Sequence, residues 1–268
     1  MGRGPGGVSA GSGGTVSPAG PNGPTTPGTA YLPPARGPSS KASLAIDWQH
    51  PVFTPEAQPA PNGTVALPQR RALSAAEAMA AITHGDRRPV LVLRECLKCS
   101  GTEDALMSGK EDNERTYLYA RWFHCIKLSP DVLEADHPFH ALFADERPSH
   151  LFIANPDGSA RHDLLGEHSR RELWGTMEAA IKANYVDGPS DALAKLGRAL
   201  DDLDEVDRAL SDLETRHELL LGEGKGDTPA AKKLQKEVEE HRARRVEILK
   251  RVEAAQRLEL KAPAAATA

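Results

Sequence analysis

Long apolar runs are missing from this chain of 268 residues. No stretch of 18 apolar residues occurs, so we expect no membrane span. Basic residues are not in excess, since 33 Lys and Arg stand against 38 Asp and Glu. The net charge of −5 supplies no broad positive field that would attract nucleic acid. The amino terminus lacks the apolar core of a secretory signal, so we expect a cytoplasmic protein. From the charge and the missing apolar runs, we expect neither nucleic-acid nor membrane partners.

Cofactor and metal signatures are also scarce. None of the ten histidines belongs to a His-Glu-x-x-His motif, and no glycine-rich phosphate loop precedes a helix. We therefore expect no cofactor and no bound metal. Three cysteines are too few for a disulfide framework, and in a chain without a secretory signal they favour catalytic or metal-binding use.

Composition divides the chain into a folded part and polar flanks. Aromatic residues make up only 4%, whereas the chain has 23 glycines and 21 prolines. Residues 1–71 are rich in Pro and Gly, and we expect them to be disordered because they bury too little to offset the entropy of ordering. A short apolar arm at 44–53 interrupts this region. The arm either covers part of the folded domain or is a linear motif for a partner.

The apolar run from Val90 to Leu93 predicts a strand that is buried on both faces. Cys96 and Cys99 follow directly, and residues 103–107 have the pattern of a helix start. A Cys-x-x-Cys at a strand-to-helix junction is a place where a dithiol can be activated. A helix N-terminus favours the thiolate, and two Cβ atoms one turn apart can close a disulfide.

The flanking sequence predicts alternating helices and strands. A capping box at Ser74 and Glu77 opens a helix, a second one opens a helix at Ser169, and Asn155 begins a turn between two strands. The predicted strands are 90–94, 122–128, 149–154 and 160–165. The predicted helical stretches are 75–84, 111–121 and 130–143, followed by the helix that Ser169 opens, with an apolar face from Leu173 to Ile181. The first two strands are expected to be parallel, and the last two to form an antiparallel hairpin.

This order of elements resembles the thioredoxin-like family over roughly residues 74–187. The resemblance is carried by the strand, Cys96-Leu97-Lys98-Cys99, the following helix, and Arg147-Pro148 before a second apolar strand. It implies an α/β fold at 72–187, with a mixed sheet flanked by helices. It also implies a cis peptide bond before Pro148, with Pro148 and Arg147 lining a substrate groove beside Cys96.

Three interpretations of the cysteine pair remain open. In the first, Cys96 is the nucleophilic thiolate and Cys99 resolves the mixed disulfide formed with protein thiols. In the second, the pair is half of a zinc site whose other ligands come from His124, Cys125 or another histidine. In the third, the domain is a binding module without redox turnover. Glu95 departs from the common family pattern, in which a Trp precedes the first cysteine.

Leucines at helical spacing dominate residues 190–261. The spacing is broken by a Gly-rich stretch at 222–229 and then resumes, which predicts an antiparallel helical hairpin or coiled coil. Apolar area left on its outer edges favours a coiled-coil partner or a homo-oligomer. The sequence thus predicts a thiol–disulfide oxidoreductase or redox-sensing protein. The alternative is a non-enzymatic interaction protein on a thioredoxin-like scaffold.

Overall fold

The computed structural model describes residues 35–52, 70–96, 105–166 and 168–262. In these ranges the chain forms a mixed α/β fold with one four-stranded sheet. The strands are β1 Val90–Arg94, β2 His124–Leu128, β3 Leu151–Ala154 and β4 His162–Leu164. The helices are α1 Pro38–Ser43, α2 Ala75–Thr83, α3 Glu114–Ala120, α4 Arg170–Asn184, α5 Pro189–Gly222 and α6 Pro229–Gln256. None of the described helices is long and apolar enough to cross a bilayer.

The sheet is mixed and has the order β2-β1-β3-β4. Strands β1 and β2 are parallel, with Val90 opposite His124. Strand β3 runs antiparallel to both β1 and β4, and Leu93 lies opposite Leu151. The predicted parallel pair and the predicted antiparallel hairpin are therefore confirmed.

Strand β1 is buried on both faces, as its apolar run predicted. Val90, Leu91, Val92 and Leu93 are each 0% exposed. Successive side chains of a strand point to opposite faces. Leu91 and Leu93 accordingly join a cluster with α3, α4 and the start of α5, whereas Val90 and Val92 pack with α2.

Two short 3-10 helices replace the continuous helical stretch that was predicted for residues 130–143. They cover Pro130–Leu133 and His140–Phe143. Pro138 lies between them and has no N–H to donate to a helix. The prediction of one helix here is wrong, although Val132, Leu142 and Phe143 are still buried beside Val90 and Val92.

The expectation of disorder is wrong for residues 35–43, where the structure has α1. The Arg36 guanidinium lies 2.7 Å from a Glu114 carboxylate oxygen on α3 and 3.3 Å from Asp204 on α5. The Ser40 hydroxyl donates to the same Asp204 carboxylate at 2.7 Å. These long-range polar contacts fix a segment whose own composition offers little to bury. Residues 1–34 and 53–69 lie outside the described residues.

The apolar arm covers the domain over residues 44–52, the part that is described. Leu44 is buried, and Ile46 and Trp48 pack against the same core cluster. Gln49 donates its N–H to the Cys125 carbonyl at 2.8 Å and accepts from the Lys127 N–H at 2.9 Å. The arm thereby adds one bridging residue to the outer edge of β2.

Helices α5 and α6 pack side by side and run antiparallel. Ion pairs join Asp202 to Arg251, Asp207 to Arg245 and Glu214 to Arg242, so residue numbers fall on one helix as they rise on the other. Their shared apolar cluster contains Leu203, Val206, Leu210, Leu213, Leu234, Val238 and Ile248. The start of α5 instead joins the core beside the sheet, through Ala192, Leu196, Ala199 and Leu200.

We predict that Arg36→Ala lowers the free energy of unfolding by about 2 kcal/mol. The substitution leaves the largely buried carboxylates of Glu114 and Asp204 without their cation. Urea denaturation followed by circular dichroism measures the change. The matched control is Arg242→Ala, whose exposed pair with Glu214 should contribute at most about 0.5 kcal/mol. Equal losses in the two variants would contradict this account of the α1 segment.

Candidate functional site

Cys96 lies just beyond the end of β1 and is partly exposed. It is a disulfide-bonded cysteine. Cys99, its predicted partner, lies outside the described residues, as do residues 103 and 104 of the predicted helix start. The described remainder of that stretch, 105–107, is not α-helical, and the next helix is α3. The pairing of Cys96 with Cys99 therefore stays a prediction.

The segment around Pro148 reaches the same end of the sheet as Cys96. The Arg94 N–H donates to the His150 carbonyl at 2.8 Å, and Leu93 pairs with Leu151, so the residues before β3 lie beside the end of β1. The peptide bond before Pro148 is trans, and the predicted cis bond is wrong. Trans is the lower-energy isomer of an X–Pro bond. Here the segment is held by side-chain contacts that accommodate the trans form.

Arg94 makes those contacts, and it is a residue that the sequence reasoning missed. Its guanidinium donates to the carbonyls of Pro148 and Ser149 at 3.2 Å each, and to the Glu95 carbonyl at 3.4 Å. The residue is only 4% exposed, and burial lowers the pKa of its guanidinium. The alternation of side chains along a strand could have predicted its position. Arg94 lies two residues after Val92 and therefore on the face of β1 that Val90 and Val92 share.

His150 is held as a neutral ring by the same arginine. Arg94 Nη2 lies 3.3 Å from His150 Nδ1, and a guanidinium has no acceptor atom, so Nδ1 accepts and the ring proton sits on Nε2. Burial, and then the charge of Arg94, lower the pKa of His150 below its ordinary value. The ring therefore adds no positive charge beside Cys96 at neutral pH.

Three further charged side chains lie near this end of the sheet: Glu95, Lys127 and Arg147. The Glu95 carboxylate lies 3.4 Å from the Lys127 ammonium group, which offsets its negative charge. Arg147, predicted to line the groove, is exposed and makes no hydrogen bond or ion pair in the described part of the chain. Among the described residues at this end of the sheet, Arg94 is the cation that hydrogen bonds to backbone carbonyls hold in position.

The structure does not bring His124 or Cys125 to Cys96. They lie opposite Val90 and Leu91, at the far end of β1. The Cys125 thiol is buried and donates to the Ala120 carbonyl at 3.4 Å, and burial raises its pKa to about 12. The zinc interpretation loses these two ligands. Across the described ranges, no group of three His, Cys, Asp or Glu side chains is placed to hold a metal ion.

Comparison with protein-family models, with curated proteins and with solved structures finds no match for this chain. The class of the protein therefore has to be argued from its own residues and geometry. Three features are relevant: the strand order, the position of Cys96 at the end of a buried strand, and the contact of Arg94 with the Pro148 segment.

We predict that Cys125 does not react with iodoacetamide in the native protein at pH 8. A rise of its pKa to about 12 lowers the thiolate fraction about a thousandfold, and burial also blocks access. Mass spectrometry of the reduced protein, alkylated with and without urea, counts the reactive thiols. Native alkylation of Cys125 at the rate seen in urea would contradict the buried position.

We predict that the protein loses stability as the pH falls from 7 to 5, and that His150→Gln reduces this loss. The pKa of His150 is lowered in the folded state, so the unfolded chain takes up a proton first as the pH falls through about 6.5. His137 and His168, whose pKa values burial also lowers, contribute in the same direction. Urea midpoints measured across this range give the slope. An unchanged slope in the variant would show that His150 is not held neutral.

Proposed function

We propose that this chain is a thioredoxin-like protein in which Cys96 and Cys99 alternate between a disulfide and a dithiol. The observation that carries the proposal is a disulfide-bonded Cys96 at the open end of a fully buried central strand. The strand order β2-β1-β3-β4 supports a thioredoxin-like fold, as do the helices packed on both faces of β1. The chemistry suits a reducing compartment, so we propose a cytoplasmic location.

The exchange balances with protein thiols as the co-reactant. A partner thiolate attacks the Cys96 sulfur, a mixed disulfide forms, and Cys99 leaves as a thiolate. A second partner thiolate then attacks the partner sulfur of the mixed disulfide and releases Cys96. The partner is oxidised to its disulfide, the pair gains two electrons, and two protons pass from the partner thiols to Cys96 and Cys99. The reverse sequence oxidises the pair.

Within this proposal, redox sensing has more structural support than catalytic turnover on protein substrates. The trans bond before Pro148 removes the geometry that the family resemblance implied for a substrate groove. Arg94 also donates hydrogen bonds to the carbonyls of Pro148 and Ser149, so these two acceptors are already used within the protein. A pair that reports the redox state of its surroundings needs neither feature.

The second candidate is a non-enzymatic interaction protein on the same scaffold, and the trans Pro148 bond favours it. Its contact surface would be the α5–α6 pair, which we interpret as a helical hairpin of the coiled-coil type. Leu219, Leu221 and Val246 on these helices are each at least half exposed. A partner helix or a second copy of the chain would cover such side chains.

A glutathione titration of the Cys125→Ala variant tests the proposal. We expect one two-electron transition with a midpoint above about −300 mV, because structural disulfides lie below that value. Each reduced molecule should take up two alkyl groups, and Cys96→Ser or Cys99→Ser should abolish the transition. A pair that never changes state across the titration would remove the redox function and leave the interaction protein.

Two further measurements on the same sample separate the alternatives. Reduction of insulin disulfides distinguishes turnover from sensing, and we expect little activity because the Pro148 bond is trans. Zinc content after preparation in metal-free buffer tests the metal interpretation. One equivalent of zinc lost in the Cys96→Ser variant would replace the redox proposal with a metal site.

A further inference from the structure

Arg94 carries a positive charge into the interior, and no carboxylate of the described residues pairs with it. Buried charges in proteins are normally paired, because removing an ion from water is costly. The four acceptors around this guanidinium are three backbone carbonyls and the neutral ring of His150. No Asp or Glu of the described residues forms an ion pair with it, and its pKa is lowered by burial alone.

We propose that the Cys96 thiolate, formed when the disulfide is reduced, is the anion that this site is built to receive, with Arg94 as its fixed positive neighbour. This inference rests on the proposed dithiol function and names the residue that tunes it. Arg94 is a positioning residue in this scheme, since it acts on the electrostatics and placement of Cys96 and takes no part in bond breaking.

The backbone between the two residues places them close together. Arg94 Nη1 lies 3.4 Å from the Glu95 carbonyl oxygen, which belongs to the peptide group that joins Glu95 to Cys96. Standard peptide dimensions then put the Cα of Cys96 within about 6 Å of that nitrogen. The sulfur of Cys96 lies one further side-chain length from that nitrogen. The interaction is little screened on the side of Arg94, which is almost fully buried, and more screened on the side of Cys96, which is partly exposed.

Among the described residues, the other charged groups at this end of the sheet are either paired or exposed. Asp163, which accepts from the Ser149 hydroxyl, is paired with Arg161. Lys127 is paired with Glu95, so the two largely cancel as seen from Cys96. His150 is neutral at pH 7 because Arg94 donates to its Nδ1. Arg147 is exposed, where water and salt screen its charge. The buried guanidinium is therefore the dominant fixed charge of the described residues next to Cys96.

The consequence is a bias toward the reduced state. A cation beside Cys96 stabilises its thiolate and has no comparable effect on the uncharged disulfide. The reduced form gains stability, and the reduction potential of the pair rises. Arg94 also joins the Glu95 carbonyl, in the peptide group before Cys96, to the Pro148–His150 segment.

The test measures the reactivity of Cys96 as a single thiol, in a chain that carries Cys99→Ser and Cys125→Ala. The rate of alkylation by iodoacetamide between pH 4 and pH 10 gives the pKa of Cys96. We expect Arg94→Met to raise this pKa by about one unit or more and to slow the reaction at pH 7 about tenfold. Arg94→Lys keeps the charge and should restore most of the rate.

The matched control is Arg88→Met, which removes an ion-paired arginine at the opposite end of β1. It should leave the reactivity of Cys96 unchanged. An equal pKa for Cys96 in the parent, Arg94→Met and Arg94→Lys proteins, all folded by circular dichroism, would overturn the proposal. A shift in Arg94→Met that Arg94→Lys does not reduce at all would assign Arg94 a purely structural role and would overturn it equally.

A salt titration of the unsubstituted Arg94 protein covers the case in which Arg94→Met does not fold. A buried cation is screened little, so the pKa of Cys96 should stay low in 1 M NaCl, where the Debye length is about 3 Å. A rise to the ordinary cysteine value would assign the effect to exposed charges and overturn the proposal. Because these measurements need no disulfide exchange, they can fail while the glutathione titration succeeds, or succeed while it fails.

Discussion

The complete burial of β1 on both faces is the constraint on which the rest of the structure depends. Four consecutive side chains, Val90 to Leu93, are removed from water, and each face needs its own cover. Helix α2 and the 3-10 helices cover one face, and α3, α4 and the start of α5 cover the other. The registers of β2 and β3 against this strand then decide which residues meet at its ends. Pro148 is brought toward Cys96, whereas Cys125 is kept at the far end.

Two arginines hold distant segments together, and of these Arg36 is partly buried and Arg94 is almost fully buried. Arg36 joins α3 and α5 through their carboxylates and so fixes the amino-terminal segment against both helices. No carboxylate of the described residues pairs with Arg94, which ties the end of β1 to the residues before β3 through backbone carbonyls. The first arrangement is electrically balanced and serves stability. The second leaves the charge of Arg94 without an ion pair among the described residues, at the proposed site of exchange.

Local patterns predicted most of the regular elements. The capping box of Ser74 with Glu77 is present, and β1 and α2 begin where the sequence placed them, because capping and hydrophobic periodicity depend on neighbours a few residues apart. The helix predicted for 130–143 failed because Pro138 and the packing against α2 favoured two short turns. Helix α1 was missed because its order comes from contacts with residues about 80 and 165 positions away.

The sequence by itself determined that a buried strand is followed by Cys96 and Cys99, and that two long amphipathic helices end the chain. These features follow from periodicity and spacing, which are properties of a short stretch. The tertiary structure alone decided that the bond before Pro148 is trans and that Arg94 is buried at the end of β1. It also decided that Arg94 binds the Pro148 carbonyl, a contact between residues 54 positions apart. The physical reason is that the acceptors of a buried charge are supplied by packing of distant segments, which no local pattern encodes.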